Sequence, residues 1–438
     1  MAQYSFDFKR VLARLEEPRE WSTYGQVTKV IGLTVETVGC RASIGELCHI
    51  ESGSSAVLSE VVGFSRDKLY LFPFQPLHGV SPGCNVRPLR RRLTVRTGPF
   101  LLGSVLDGLG RPLAGEGPLG ESMEYLLDQA PPNPLHRQRI DTVLETGVRA
   151  IDLFLTIGGG QRLGIFAGSG VGKSTLLGMM ARGSTADCNV IALVGERGRE
   201  VRDFLERDLG PLGLARSVVV VATSDQPALL RIKAALTATA IAESFRDQGL
   251  QVMLMMDSVT RFAMAQRELG LAIGEPPTTR GYPPSVFAVL PKLLERAGTA
   301  SRGSITGLYT VLVEGDDLNE PIADAVRGIL DGHVVLTRRL AERNHYPSID
   351  VLQSVSRLAN ELSGPEHMSL VAKARNLLAV YRHNEDLINI GAYVKGTSPA
   401  IDEAIEVVPL IMQLLAQGIE ERSSLDEALR ALAQVVKE

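Results

Sequence analysis

The run Ala167-Gly168-Ser169-Gly170-Val171-Gly172-Lys173-Ser174-Thr175 has the residue types needed to hold phosphate. Its glycines let backbone N–H groups converge on phosphate oxygens, and a helix beginning there adds partial positive charge. Lys173 reaches the β- and γ-phosphates, and the Ser174 hydroxyl is placed to ligate Mg²⁺. The chemistry implied is nucleoside triphosphate binding, with Gly168, Ser169, Gly170, Val171, Gly172, Lys173, Ser174 and Thr175 as the cradle. The strict pattern has Gly at the first position, where this chain has Ala167. Ala serves there if φ is negative.

Two groups of acids complete the candidate chemistry. Val252-Met-Leu-Met-Met-Asp257 is an apolar run ending in a carboxylate. Such an acid, at the C-terminal edge of a strand, is placed to hold the Mg²⁺ shell beside a phosphate loop; helix capping is the alternative. Val194-Gly195-Glu196-Arg197-Gly198-Arg199-Glu200 follows another apolar run. Glu196 is placed to orient and polarise an attacking water, Arg197 to face the transferring phosphoryl group, and Glu200 to reach a metal-bound water. Spacing alone equally fits a solvated charged loop.

These groups need a sheet whose strands end together. Leu163–Phe166, Cys188–Val194, Ser217–Ala222, Val252–Met256 and Ile305–Val313 are nearly continuous apolar runs, as in a parallel sheet buried on both faces. Helical patterns alternate with them, at Thr175–Arg182, Glu200–Leu209 and Pro227–Gln248. Before them, short β segments punctuated by Gly (Gln26–Ile31, Thr34–Glu36, Leu47–His49, Ser55–Phe64, Lys68–Pro73) predict a small barrel or sandwich. The 93–118 stretch reads as a Gly/Pro-rich connector, and 130–140 as an extended linker. Beyond Gly364 the pattern is helical (Glu366–Tyr381, Pro399–Gln417, Ser424–Val436), broken at Gly391, Gly396 and Gly418. At the other end, Phe8, Val11, Leu12 and Leu15 share one helical face, which either packs on its own chain or docks on a partner's helix.

Composition narrows the class. The 438 residues carry 46 Lys and Arg against 50 Asp and Glu, a net charge of −4 that argues against broad nucleic-acid affinity. Cys40, Cys48, Cys84 and Cys188 lie far apart without zinc spacing, and read as small apolar residues in a reducing compartment. No signal-peptide pattern stands at the N-terminus and no run approaches the roughly 20 apolar residues of a membrane span. A cytoplasmic protein is expected.

Tyr346-Pro-Ser-Ile-Asp350-Val-Leu-Gln-Ser354-Val-Ser356-Arg357, together with the phosphate loop, Gly195-Glu196-Arg197 and Asp257-Ser258, resembles the rotary ATP synthase α/β family. Gly274–Phe287, Leu293–Gly298 and Val313–Pro321 are similar to its type III secretion branch. Met255–Arg267 and Asp386–Tyr393 look like the flagellar export ATPases, with the virulence injectisome ATPases as the nearer alternative. The likeness spans about residues 22–438.

The resemblance implies an α/β fold: a RecA-like P-loop core with an N-terminal small β-barrel and a C-terminal helical domain. The divisions expected are a docking helix at 1–20, the barrel at 21–95, the ATPase domain at 96–365 and the helical domain at 366–438. It also implies ATP hydrolysis with Mg²⁺, Glu196 matching the glutamate of catalytic subunits. Arg357 matches an arginine finger offered to the neighbouring subunit, and Tyr346 an aromatic that stacks on adenine, core packing being the alternative. Arg197 and Arg261 match phosphate-facing arginines, and each equally fits a structural ion pair. Implied partners are further copies of the chain in a homohexamer and a peripheral-stalk-like regulator at the N-terminal helix. A central-stalk-like protein, a membrane export gate, export chaperones and flagellar substrates complete the set. An RNA translocase of the same core is disfavoured, because the barrel segment lacks interleaved basic and aromatic residues. Ser104, Arg382 and His383 depart from the family pattern; the last two are expected to alter surface contacts only.

Overall fold

The computed structural model describes residues 23–53, 55–114, 120–313 and 317–437, the side chain of Lys437 excepted. The N-terminal helix expected from Phe8, Val11, Leu12 and Leu15 lies outside them. Contacts divide the chain into two compact units, one ending at Leu93 and one starting at Thr94.

The first unit is a closed antiparallel barrel of β1 (Gly25–Ile31), β2 (Thr34–Val38), β3 (Glu46–Ser52), β4 (Ser55–Ser65), β5 (Lys68–Pro73) and β6 (Asn85–Arg92). Around the barrel the order is β1-β2-β5-β4-β3-β6. Period-two alternation points Val27, Val35, Cys48, Ile50, Val57, Val61, Leu71 and Val86 inward, where they form one apolar cluster. The sequence pattern misses β6. Its Asn-Val-Arg-Pro-Leu-Arg-Arg-Arg run has Val86 as its one buried residue, so no apolar alternation marks it. Backbone pairing to both β1 and β3 makes it a strand regardless.

The second unit is α/β. Across its main sheet the strands run Val355–Ser356, Gly332–Leu336, Arg162–Ala167, Ser304–Leu312, Gln251–Asp257, Cys188–Val194, Ser217–Ala222 and Val105–Asp107. All neighbours on this path are parallel except Val355–Ser356, which runs against Gly332–Leu336. Cys188–Val194 is buried along its whole length, as a strand covered on both faces must be. On one face Leu176, Leu177 and Met180 of the helix Lys173–Gly183 join Ile165, Ile191, Met253 and Met255 in a single apolar core. The helix Ala228–Asp247 is buried over most of its length.

The expected connector contains the sheet's edge strand, Val105–Asp107. Three residues are too short to show a period, and the Gly-rich turn after them is closed by Asp107 Oδ1, which accepts from the N–H groups of Leu109 and Arg111 at 2.8 Å each. The carboxyl end of the chain forms the helices Pro365–Asn389, Pro399–Leu415 and Leu425–Lys437. The middle helix ends two residues before the expected Gln417. Ala416 and Gln417 are instead held in extended form: Gln417 N–H donates to Tyr346 O (2.9 Å), its Nε2 to Gly147 O (2.8 Å), and Arg149 N–H donates to its Oε1 (2.9 Å).

Candidate nucleotide site

The carboxyl ends of four adjacent strands, Arg162–Ala167, Ser304–Leu312, Gln251–Asp257 and Cys188–Val194, carry the site. The strand Arg162–Ala167 runs into the glycine-rich turn, and the helix Lys173–Gly183 leaves it. Ala167 closes the strand in extended form, so the departure from Gly costs nothing there. Gly170 (φ 78°) and Gly172 (φ 89°) are left-handed, which explains glycine at both. A Cβ on Gly172 would also stand 3.3 Å from the Tyr346 ring.

Lys173, opening the helix, points across the strand ends. Its Nζ lies 2.5 Å from Asp257 Oδ1 and 3.6 Å from Glu196 Oε1. Asp257 ends the strand Gln251–Asp257, is 3% exposed, and also accepts from Thr310 Oγ1 at 2.7 Å. Glu196 stands two residues past Cys188–Val194 and is 6% exposed. Arg261 holds that loop from the helix Val259–Ala272. It donates from Nη1 to Gly195 O (2.7 Å) and from Nη2 to Glu196 Oε2 (3.2 Å). Glu196 Oε1 sees Arg261 Nε at 3.2 Å without the alignment of a hydrogen bond. Burial, and then the Asp257 carboxylate, push the Glu196 carboxyl up to about 7 against the pull of Lys173 and Arg261.

The structure thus brings Lys173, Asp257, Glu196 and Arg261 together. Arg261 is engaged as an ion-pair partner of Glu196. Arg197 is turned to solvent and pairs with Glu200 at 3.5 Å. Glu200 also reaches the Glu196 carboxyl. Ser174 follows Lys173 in the first helical turn. The donors at this end, a hydroxyl and carboxylates, are the hard oxygens a small divalent cation takes.

Tyr346 borders a cavity of about 590 Å³ that opens onto Gly170, Gly172 and Thr175. Its other wall is the extended segment Ala416–Ile419 between two C-terminal helices. That size suits a nucleotide base and sugar. Sequence reasoning missed this wall, along with Thr310 and Ser348. The Ser348 hydroxyl donates to Val171 O at 2.6 Å, fastening the Tyr346 segment onto the phosphate loop. The signature that supplied Tyr346 contains Ser348, so the signal was present.

Arg357 is not in this cavity. It is exposed, and its N–H donates to Asp331 O at 3.0 Å. Asp331 in turn pairs with Arg162, the first residue of the strand whose far end begins the phosphate loop. Arg357 therefore sits at the opposite edge of the sheet, a strand length of roughly 17 Å away. Arg382 departs from the expectation of a surface effect. Its Nη2 donates to Asp350 Oδ1 at 2.8 Å, and Asp350 is 2% exposed.

Family models match along the chain: the ATP synthase alpha/beta family beta-barrel domain over residues 27–90, that family's nucleotide-binding domain over 147–356, and the T3SS EscN ATPase C-terminal domain over 363–434. A flagellum-specific ATP synthase of Bacillus subtilis is 55% identical over 426 residues, 96% of this chain and 97% of its own length. The chain belongs to the ATP synthase α/β family. It is an ATPase of the type III secretion branch, with a barrel, a nucleotide-binding α/β core and a helical C-terminal region. A type 3 secretion system ATPase of Xanthomonas euvesicatoria is 50% identical over 98% of this chain and 96% of its own. Among solved structures, the assembled ATPase EscN of enteropathogenic E. coli superposes with a TM-score of 0.88 at 48% identity, over 94% of this chain and all of that one. A second structure of EscN, in complex with its central stalk EscO, gives the same values.

Proposed function

We propose that this chain hydrolyses ATP with Mg²⁺ in a homohexameric ring that energises flagellar type III protein export and releases substrates from their chaperones. The observation that carries the ring is that Arg357 and Lys173 stand at opposite strand ends within one chain. A head-to-tail contact repeats one interface around a closed ring. It lets Arg357 of one copy reach the phosphates held by Lys173 of the next, where an arginine stabilises transition-state charge. EscN supports the arrangement as a relative solved in assembled form, with EscO as a central stalk. By the same analogy the present chain takes a central-stalk-like partner. A peripheral-stalk-like regulator meets the N-terminal helix, chaperones and flagellar substrates meet the C-terminal helices, and the ring works at the cytoplasmic face of the membrane export gate. The flagellar assignment rests on the relatives' names, flagellum-specific enzymes of several bacteria at 44–55% identity.

In the site, Ser174 and Asp257 hold Mg²⁺, which supplies positive charge to the phosphate oxygens when bound. Lys173 neutralises phosphate from the loop side, and Tyr346 packs against adenine. Glu196, held near neutrality by burial, orients the attacking water and takes its proton. Arg261 flanks that carboxylate, while Arg197 stands at the solvent side of the same loop, paired with Glu200.

The test is turnover per subunit against protein concentration, for the native chain and Arg357→Ala. Specific activity should climb with concentration as rings form, and the variant should lose about 10³-fold at any concentration. A native rate already full in the monomer overturns the role of Arg357. Restored motility in a strain lacking its flagellar export ATPase tests the client; rescue confined to an injectisome-deficient strain favours the virulence reading.

A further inference from the structure

The helix that follows Glu196 is interrupted. It is α-helical over Gly198–Asp203, makes a π-helical turn over Phe204–Leu209, and resumes over Gly210–Ala215. A π turn holds one residue more than an α turn and persists where packing fixes the extra residue. Here the packing comes from the phosphate-loop helix. Thr175 Oγ1 donates to Asp208 Oδ1 at 3.0 Å. Three residues on, Gly178 lies so close that a Cβ would meet Asp208 O at 2.4 Å. Thr175 and Gly178 are spaced i, i+3 on one helical face, and Arg182, four further, continues it. Leu209, the last residue of the π turn, is fully buried. Burial pushes the Asp208 carboxyl up, while Thr175 and Arg182 favour its charged form.

The Glu196 loop is therefore gripped at two points. Upstream, the sheet and Arg261 hold it; downstream, Asp208 fastens its helix to the helix that starts with Lys173 and Ser174. We propose that Asp208 is a positioning residue for hydrolysis, its bond to Thr175 fixing the gap between the Glu196 carboxylate and Lys173. The π turn is the adapter that brings Asp208 to face Thr175. This rests on the roles given above to Glu196 and Lys173. It adds a residue that touches neither substrate nor metal.

Displacing a reacting group by about 1 Å costs on the order of 100-fold in rate. Asp208→Ala should therefore lower kcat by about 10- to 100-fold. Its affinity for a non-hydrolysable ATP analogue should stay within about twofold, because the loop amides and Lys173 are untouched. Asp208→Asn keeps a carbonyl oxygen for Thr175 and should recover most of the rate. A role in stability alone predicts neither the split between kcat and affinity nor the rescue. In the native protein, the analogue should slow amide exchange across 204–215, a measurement that needs no variant to fold. A folded Asp208→Ala with native kcat, failure of Asp208→Asn to rescue, or unchanged exchange in 204–215 overturns the proposal. Absence of ATP turnover in the native protein would instead overturn the functional reading beneath it.

Discussion

Two buried clusters of opposite charge lie in the same α/β unit and are built differently. Arg296 and Glu243 meet as a closed fork, Nε to Oε1 at 2.9 Å and Nη2 to Oε2 at 2.6 Å, with Nη1 donating to Leu127 O at 2.7 Å. Their side chains are 3% and 1% exposed, and the two carboxylate oxygens are both paired. At the nucleotide site, Lys173 is shared between two carboxylates, and Glu196 Oε1 has charged neighbours without an aligned donor. The closed pair leaves neither carboxylate oxygen without an aligned donor. The open cluster keeps a lysine and two acids whose pairing is incomplete, as the phosphate site proposed above requires. Burial of charge alone does not separate a site from a staple; completeness of pairing does.

That contrast can be broken by substitution. Glu196→Gln should cut turnover by about 10²–10⁴-fold while nucleotide still binds, read from phosphate release beside a fluorescent-nucleotide titration. An equal loss of binding would make Glu196 a structural member like Glu243. Arg296→Leu should cost about 3–5 kcal/mol in denaturant unfolding, because it strands a buried carboxylate. Replacing both partners with leucine should return most of that, with the rate per folded molecule unchanged.

The next effect is one of pH. The Glu196 carboxyl is raised from its ordinary 4.5 to about 7, so in the role of base proposed above it should drive turnover that climbs through about 7. The sign for stability is the reverse. A raised carboxyl contributes stability in full below about 4.5, and loses it as pH rises toward about 7. Glu196→Gln should remove that component from a melting-temperature profile; an identical profile in the variant would place the raised group elsewhere. Smallest should be Arg382→Ala, under about 1 kcal/mol. Asp350 keeps the Leu352 and Gln353 N–H groups and Gln353 Nε2, and the arginine is a third exposed.

How much of this was legible depended on whether a pattern is local. The phosphate loop, its flanking strand and Asp257 are written in consecutive residues, because a turn, an apolar strand and a terminal acid are each short-range facts. The main parallel strands were visible for the same reason, each being an unbroken apolar run. Strand β6 was not, since Arg87 and Arg90–Arg92 hide a pairing made by the backbone. Gly332–Leu336 was missed as well, a five-residue strand lying between helices. The cavity wall at Ala416–Ile419 depends on Gln417 meeting Gly147 and Tyr346, contacts that no window around Gln417 contains. Arg382 reads as a surface residue until Asp350 is seen beneath it. The likeness to a known family supplied Tyr346 and Arg357, whose spacing alone carried no signal.

The polarity of the central sheet has a genetic consequence. Each copy carries the phosphate loop at one end of its strands and Arg357 at the other, so in the ring proposed above an allele lacking Lys173 and an allele lacking Arg357 would be defective on different faces. Mixed in one ring, a copy without Arg357 still offers an intact loop, and a neighbour without Lys173 still offers an intact arginine. About one junction in four would be whole under random mixing. Two alleles that are each null would then complement one another within a single gene, and each would act dominantly when co-expressed with the normal chain.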